Sequence, residues 1–592
     1  MAWASKRAVL AGSAGVIACG LLLAAPVVGQ DAGQQSASGR DAPKSLLPPG
    51  FDTPAPAPSA APAPLLPGAA APPADAAAAE QPPLLAPQPG QTTPPPFVET
   101  QTAAALPPGA PIGIIDAASG AFGDDAFTGS NGRFLAGLAN RIANPVASRW
   151  VAITLGRALA SRVPGPAGIG DGDWVAARAG LLVRMGAVDP ARRLIDVLPQ
   201  DRYTPATYRV AGEVSLAAAD LAGLCPIAAT GRALSDDVMW DLAWGMCAAM
   251  DGDDITAAGV IDAVRNRRGA LPAFDLRLAQ RVVVLAGGAG RADGINWVEE
   301  EGLTPYRYGV ASAAGVTVPA DRLSALGPAH AGWAVRNAAL PAATRFALLR
   351  AAAVLGTLSA EELASGVAAL APADASGGFA ADSRAGRLRD AFTGSPQDRA
   401  EAIAAIAGDD DYGGLLEAAT AAAALKPAAS LAGRSDVIIA ALLAAGNTRA
   451  ARAWWPVAQD ANDDVRARAQ ALLAAGAGVA MGSGDVRAWR DAAKASPRRE
   501  AMLVAALSGL GQARGLDRDG FKAISNRWTA ALASAARRRA AGEVALLAAT
   551  GLQGGWADVP PAHVEAIVAA LVACGRVTEA RLLAAEAITR SA

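Results

Sequence analysis

Few residues of this chain have the types and spacing that catalysis requires. The histidines are His330 and His563, and neither lies in an HExxH, CxxC or GxSxG pattern. Hydrolysis by a serine nucleophile or a bound metal usually needs a histidine base or a set of ligands, so this scarcity argues against both reaction classes. His330 lies in Gly327-Pro-Ala-His-Ala-Gly332, which predicts a turn. We therefore expect no catalytic residue and no enzyme activity.

Acidic and glycine-rich segments do not complete a binding site for a metal or a phosphate. The acids near Gly515 are spaced as in a calcium loop, but Gly515 and Asn526 stand where the outer ligands should be. The acidic run at 299–301 points in different directions if it is helical, which suits a solvated face better than paired catalytic carboxylates. The glycines at 287–290 lack a preceding strand and a following Lys-Ser/Thr. No metal and no cofactor are expected.

Composition predicts an all-α protein. Hydrophobic residues make up 52% of the 592 positions but aromatic residues only 5%, so alanine, leucine and valine supply most of the apolar surface. Small and unbranched apolar side chains favour closely packed helices, and strict alternation of apolar and polar residues is rare. The 52 basic and 54 acidic residues are mixed along the chain and give a net charge of −2, which favours neither nucleic acid nor an anionic membrane surface as a partner.

A turn of the form Gly-x4-Ala recurs along the chain. A glycine at such a position ends one helix, and the small alanine lets the next helix pack closely against the first. We interpret the glycine and the alanine as packing positions between paired helices. The turns are Gly186/Ala191, Gly252/Ala257, Gly446/Ala451 and Gly575/Ala580.

These turns resemble the tetratricopeptide repeat, whose first helix ends in glycine and whose second carries small residues five and twelve positions later. Ala587 and Ala458 fill the third position after Gly575 and Gly446, whereas Leu198 and Val264 replace it in the other two turns. Gly186 and Gly252 are 66 residues apart, close to two periods of about 34 residues. The resemblance implies a right-handed α-solenoid of antiparallel helix pairs that binds a protein or peptide.

The N-terminus has the features of a secretory signal peptide. Lys6-Arg7 precede an apolar run over 8–28, and small residues lead to Gly29. Cleavage after Gly29 is our main expectation. Two alternatives stay open: an uncleaved membrane anchor, and lipidation of Cys19 in the lipobox-like sequence Val16-Ile-Ala-Cys19.

The composition divides the rest of the chain into a linker and a helical region. Residues 30–112 are rich in proline and alanine, which predicts a disordered segment with polyproline II character. Paired leucines beside proline recur in it, and we ascribe them to composition rather than to docking. Helical signals follow, and a Gly/Ala/Ser-rich loop near residue 371 separates predicted helical blocks at 113–370 and 371–592.

Outside the signal, the cysteines are Cys225, Cys247 and Cys574. We expect three small, buried apolar side chains. The alternative is a disulfide between Cys225 and Cys247, which are close enough in sequence to lie on adjacent helices.

Together these features predict an exported cell-envelope scaffold of helical repeats, in a bacterium, that binds a protein or peptide partner and meets a membrane only through its N-terminus. The alternative is a factor associated with peptidoglycan or another polysaccharide, acting in turnover or export. A compact catalytic domain would distinguish them, and residues 295–325, the least helical stretch, are where one would lie.

Overall fold

The computed structural model describes residues 107–591 apart from a set of short gaps, and residues 1–106 and 592 are outside it. The predicted signal peptide, Cys19 and all but the last few residues of the linker therefore lie outside the described residues. The gaps are 108, 143–144, 268–270, 288–293, 298–301, 326–327, 338–339, 371–383, 409–410 and 519.

The fold is all-α, as the composition predicts. Isolated β-bridges occur, such as that between Ile112 and Val163, but the described residues form no strand. The helices are, in chain order, α1 (Gly132–Arg141), α2 (Arg149–Ala160), α3 (Asp171–Arg184), α4 (Val188–Asp196), α5 (Pro205–Ala217), α6 (Cys225–Leu234), α7 (Val238–Met250), α8 (Asp254–Asn266), α9 (Ala273–Leu285), α10 (Pro305–Ala313), α11 (Ala320–Ala325), α12 (Ala329–Ala334), α13 (Ala342–Leu355), α14 (Ala360–Ala369), α15 (Arg384–Asp390), α16 (Pro396–Ala407), α17 (Tyr412–Ala423), α18 (Ser435–Ala444), α19 (Thr448–Ala453), α20 (Trp455–Gln459), α21 (Asp463–Ala477), α22 (Ser483–Ala492), α23 (Pro497–Gly509), α24 (Arg527–Arg537), α25 (Ala541–Gly551), α26 (Pro561–Ala573) and α27 (Val577–Arg590).

Local signals explain where many of these helices begin. Helix α5 follows Thr204, whose hydroxyl accepts a hydrogen bond from the amide of Thr207, while Pro205 occupies the first helical position. Helix α14 begins after Ser359 in the same way, with a reciprocal bond from the Ser359 amide to the Glu362 carboxylate. Such caps satisfy amides that have no partner within the helix.

Five helices in the first half of the folded region form a closed ring. Helix α5 packs on α10, α10 on α9, α9 on α7, α7 on α6, and α6 back on α5. The contact between α5 and α10 is close because Gly309 has no side chain: a Cβ there would lie 2.4 Å from the carbonyl oxygen of Leu216. The ring places side by side two helices that are about a hundred residues apart in the sequence.

The second half is built around α27, which packs on α18, α21, α23 and α26. Helix α2, near the start of the fold, packs against both α25 and α27. Helices from near the two ends of the fold are therefore neighbours, unlike those of a linear array in which each repeat touches only the next.

The predicted boundary between helical blocks falls at 371–383, which the structure does not describe. Helices α14 and α17 pack together across this gap, and the described residues belong to one compact unit. Within the described ranges, no helix combines the length and the apolar character needed to cross a lipid bilayer.

Candidate functional site

The four predicted turn glycines follow the ends of α3, α7, α18 and α26. Their φ angles are 82° at Gly186, 82° at Gly252, 86° at Gly446 and 75° at Gly575. This left-handed conformation favours glycine because a Cβ would crowd the backbone. The paired alanines Ala191, Ala257, Ala451 and Ala580 are all fully buried.

Two of these turns also contact helices far away in the sequence. A Cβ at Gly186 would lie 2.7 Å from the carbonyl oxygen of Ala329 on α12, and one at Gly446 would lie 2.6 Å from the ring of Trp150 on α2. Gly252 and Gly575 face open space. These glycines therefore form turns between helices, and two of them also allow close contacts with other helices.

The expectation of three unbonded cysteines is wrong. Cys225 and Cys247 form a disulfide, and Cys574 alone is free among the described cysteines. Helices α6 and α7 run antiparallel, so the start of α6 meets the end of α7 and the two Cα atoms are 5.4 Å apart. This separation suits a disulfide, and sequence spacing alone could not establish it.

His330 is also placed differently from the prediction, since it lies within the short helix α12 rather than in a turn. Its ring packs on Trp333, with centroids 4.2 Å apart. His563 at the start of α26 has its Nδ1 2.7 Å from the carbonyl oxygen of Gly551. In the part of the chain that the structure describes, no three His, Cys, Asp or Glu side chains are grouped as metal ligands.

A cleft of about 590 Å³, which we call the five-helix cleft, lies at one end of the helix ring. Its wall includes the aromatic side chains of Tyr208, Trp240 and Tyr306, contributed by α5, α7 and α10. Leu216 and Leu242 line it as well, and both are buried. A cavity of this size with aromatic and apolar walls can take one or two large side chains of a ligand.

Trp240 is held in place by two helices that carry glycine opposite its ring. A Cβ at Gly231 on α6 would lie 2.4 Å from the indole, and one at Gly212 on α5 would lie 3.0 Å from it. The indole therefore occupies the space that these side chains would fill. Trp240 is 3% exposed and forms a fixed part of the wall.

A buried ion pair supports the opposite wall of the cleft. The Arg307 Nε donates to Asp275 Oδ1 at 2.5 Å and its Nη2 donates to Oδ2 at 3.3 Å, which joins α10 to α9. Arg307 Nη1 also donates to the carbonyl oxygen of Gly302 at 2.6 Å. The Tyr306 hydroxyl donates to the backbone carbonyl of Asp275 at 3.2 Å, and burial raises the pKa of Tyr306 well above its usual value.

The rim of the cleft is partly apolar and partly acidic. Leu234, at the end of α6, lines the cleft and is 48% exposed, so it offers apolar surface at the rim. The Asp237 carboxylate caps α7 by accepting from the Met239 amide at 2.9 Å. Among the described residues, no basic side chain pairs with Asp237, whereas Glu213 pairs with Arg209.

Sequence reasoning missed the cleft, although a signal for it is present. The segments at 204–212 and 304–312 share Thr-Pro, a tyrosine four residues after the threonine, and Val-Ala after that. Both segments begin the helices that meet in the ring, α5 and α10, and Tyr208 and Tyr308 are both buried. A search for this pattern would have shown a second internal similarity, independent of the Gly-x4-Ala turns.

A second cavity of about 590 Å³ lies among α17, α18, α21 and the end of α27. Its charges are largely engaged within the protein: Arg468 pairs with Asp436 at 2.7 Å, and Arg499 donates to the carbonyl oxygen of Ile588 at 2.9 Å. The five-helix cleft is lined by three aromatic side chains rather than one, and its rim carries Asp237, which pairs with no basic side chain in the described part of the chain, so it is the better candidate for a binding site. No family model, curated protein or solved structure matches this chain.

Proposed function

We propose that the protein is an exported helical-repeat scaffold of the cell envelope that binds a segment of a partner protein in the five-helix cleft. The cleft carries this proposal because it combines a rigid aromatic wall with an exposed leucine at the rim. Tyr208, Trp240 and Tyr306 offer large contact areas at little cost in conformational entropy, as in many protein-binding sites.

The charges of the cleft specify the chemistry of the segment. Arg209 and Glu213 neutralise each other, as do Arg307 and Asp275. The negative charge of Asp237 therefore remains at the rim. A segment with a large apolar side chain and a neighbouring lysine or arginine would complement both the cavity and this charge.

Two features support an oxidising compartment outside the cytoplasm. The N-terminal sequence has the charge and apolar pattern of a secretory signal, and the Cys225–Cys247 disulfide is of a kind that persists mainly in exported proteins. Neither feature depends on the cleft, so export and partner binding can be tested separately.

The right-handed solenoid of antiparallel pairs is also part of the proposal. The pairs α3–α4, α7–α8 and α26–α27, each joined by a short glycine turn, support it. Such an array would have to close on itself, because α2 packs against α25 and α27.

Photocrosslinking in the native envelope tests the binding proposal. A photoreactive phenylalanine analogue at Leu234 should form an adduct with a protein partner. The same analogue at Ile255, which is 88% exposed and lies beyond the other end of α7, should not. With the purified partner, Leu234→Arg should weaken binding at least tenfold, and Ile255→Arg should leave it unchanged.

Two results would overturn the proposal. Equal crosslinking at the two positions would show that the cleft is not the binding site. Adducts that carry glycan and no protein would instead indicate the polysaccharide-associated role that the sequence left as an alternative.

A further inference from the structure

A smaller groove, which we call the aliphatic groove, lies among α2, the start of α4 and the turn between α13 and α14. It has a volume of about 250 Å³. Its lining includes Ile114, Ile115, Ile153, Leu355 and Leu358, and all five side chains are half-buried. No aromatic side chain is among the described residues that line it. The apolar surface that the groove offers to a ligand is therefore aliphatic, unlike the wall of the five-helix cleft.

The aliphatic groove also carries positive charge. Arg157 and Arg193 line it, are exposed, and pair with no carboxylate in the described part of the chain. Arg336 lines it as well, but Asp189 neutralises this arginine. None of the described residues that line the groove is an aspartate or a glutamate. A ligand that complements the groove should therefore combine an apolar body with a negative charge.

A glycine inside α2 keeps the groove open. Gly156 lines it, and a Cβ at this position would meet no atom within 4 Å. Glycine within a helix lowers stability relative to alanine, and here no neighbouring helix comes close enough to require it. The missing side chain leaves space beside Ile153 that a ligand can occupy.

The backbone of the groove favours a hydrocarbon chain over a peptide. The amides of Ile114 and Ile115 both donate to the carbonyl oxygen of Ala160, at 2.8 and 3.2 Å. The amide of Gly356 donates to the carbonyl oxygen of Ala353 at 3.0 Å. A peptide bound against these segments would bury its own amides and carbonyls without these partners, which is costly, whereas a hydrocarbon chain has no such groups.

We propose that the aliphatic groove binds a single-chain amphiphile, a fatty carboxylate, with its hydrocarbon chain against Ile153, Leu355 and Leu358 and its carboxylate beside Arg157 and Arg193. The volume of the groove limits the buried part of the chain to about eight carbon atoms, if each takes about 30 Å³, the volume of one water molecule in the liquid. A phospholipid with two chains is too large for this space. The inference is independent of the five-helix cleft and of the partner proposed to bind there.

Isothermal titration calorimetry of the purified full-length protein with straight-chain carboxylates tests the chain-binding part of the proposal. Octanoate should bind at one site, and hexanoate should bind about fifteenfold more weakly, since each buried methylene group contributes about fourfold. Dodecanoate should gain much less per added methylene, because its chain extends beyond the groove. Gly156→Phe should fill the groove and abolish binding. Gly259→Phe, at a glycine of α8 that also faces open space, should leave binding unchanged.

A second pair of variants tests the contacts with the carboxylate and alters only exposed side chains. Arg157→Gln/Arg193→Gln should weaken octanoate binding about tenfold, as expected for the loss of two exposed ion pairs, and should leave binding of uncharged octan-1-ol unchanged. The matched control Arg162→Gln/Arg192→Gln removes two exposed arginines that pair with carboxylates and do not line the groove. It should change the binding of neither ligand.

Four results would overturn the proposal. The absence of saturable octanoate binding would exclude this class of ligand. Octanoate binding that survives in Gly156→Phe would show that the ligand lies elsewhere. Equal weakening by the two double-arginine variants would indicate a general effect of charge. Binding to vesicles of phosphatidylglycerol and phosphatidylcholine that requires Arg157 and Arg193, without binding of octanoate, would identify a lipid surface as the ligand.

Discussion

Glu586 accepts a hydrogen bond from the backbone amide of Arg149 at 2.8 Å, although the two residues are 437 positions apart in the sequence. The same carboxylate accepts from the Trp150 amide at 3.2 Å and from the Ser148 hydroxyl. A side chain of α27 therefore caps the N-terminus of α2, where unpaired amides and the helix dipole favour negative charge. This cap joins the first and last parts of the fold.

Removal of this carboxylate should strongly destabilise the protein. Glu586 is buried and also accepts from Arg590 at 2.7 Å, so Glu586→Ala leaves amides and a cation without their partner. We expect a loss of about 3–5 kcal/mol, measured from the urea midpoint of the first unfolding transition. Glu579→Ala on the same helix breaks the longer Arg576 pair, at 3.4 Å, and should cost about 1 kcal/mol or less. Equal losses for the two variants would contradict the role of the cap.

The disulfide should stabilise the helix ring. It closes a loop with a sequence separation of 22 residues, and loop-closure entropy for that length gives about 3 kcal/mol. Cys225→Ser/Cys247→Ser should lower the midpoint of thermal unfolding, and reducing agent should lower it for the natural protein but not for this variant. Cys574→Ser, which removes the free thiol, should leave the response to reductant unchanged. Peptide mapping without reduction that finds Cys225 alkylated would rule out the bond.

Substitution by alanine at two glycines in helix interiors should change the stability of the protein in opposite directions. A Cβ at Gly309 would meet the Leu216 backbone, whereas one at Gly259 in α8 would meet no atom within 4 Å. Gly309→Ala should therefore destabilise the protein by about 1–3 kcal/mol by forcing α5 and α10 apart. Gly259→Ala should stabilise it by about 0.5–1 kcal/mol, because alanine loses less conformational entropy in a helix. Chemical denaturation of the two variants measures the change in the free energy of unfolding for each. Stabilisation by Gly309→Ala would contradict the close contact between Gly309 and the Leu216 backbone.

Substitutions at two residues with a left-handed backbone conformation should change the free energy of unfolding in opposite directions. Ala219 follows the end of α5 with φ of 53°, a conformation that disfavours a side chain. Ala219→Gly should raise the free energy of unfolding by about 0.5–1 kcal/mol. Gly252→Ala, at φ of 82° after α7, should lower it by about 1 kcal/mol even though the added methyl group meets open space. The same sign for both variants would show that backbone conformation does not govern these turns.

The sequence by itself determined the helical class and the chemistry of the turns. Alanine-rich amphipathic segments, hydroxyl caps such as Thr204 and glycines such as Gly186 act within a few residues of their own position, so their effect is readable locally. The tertiary structure decided which helices meet. The Cys225–Cys247 bond, the contact of Gly309 with Leu216 and the cap on α2 by Glu586 each depend on the positions of separate helices. The five-helix cleft belongs to this second group, because the packing that assembles Tyr208, Trp240 and Tyr306 is set by side-chain fit across the ring and not by any one segment.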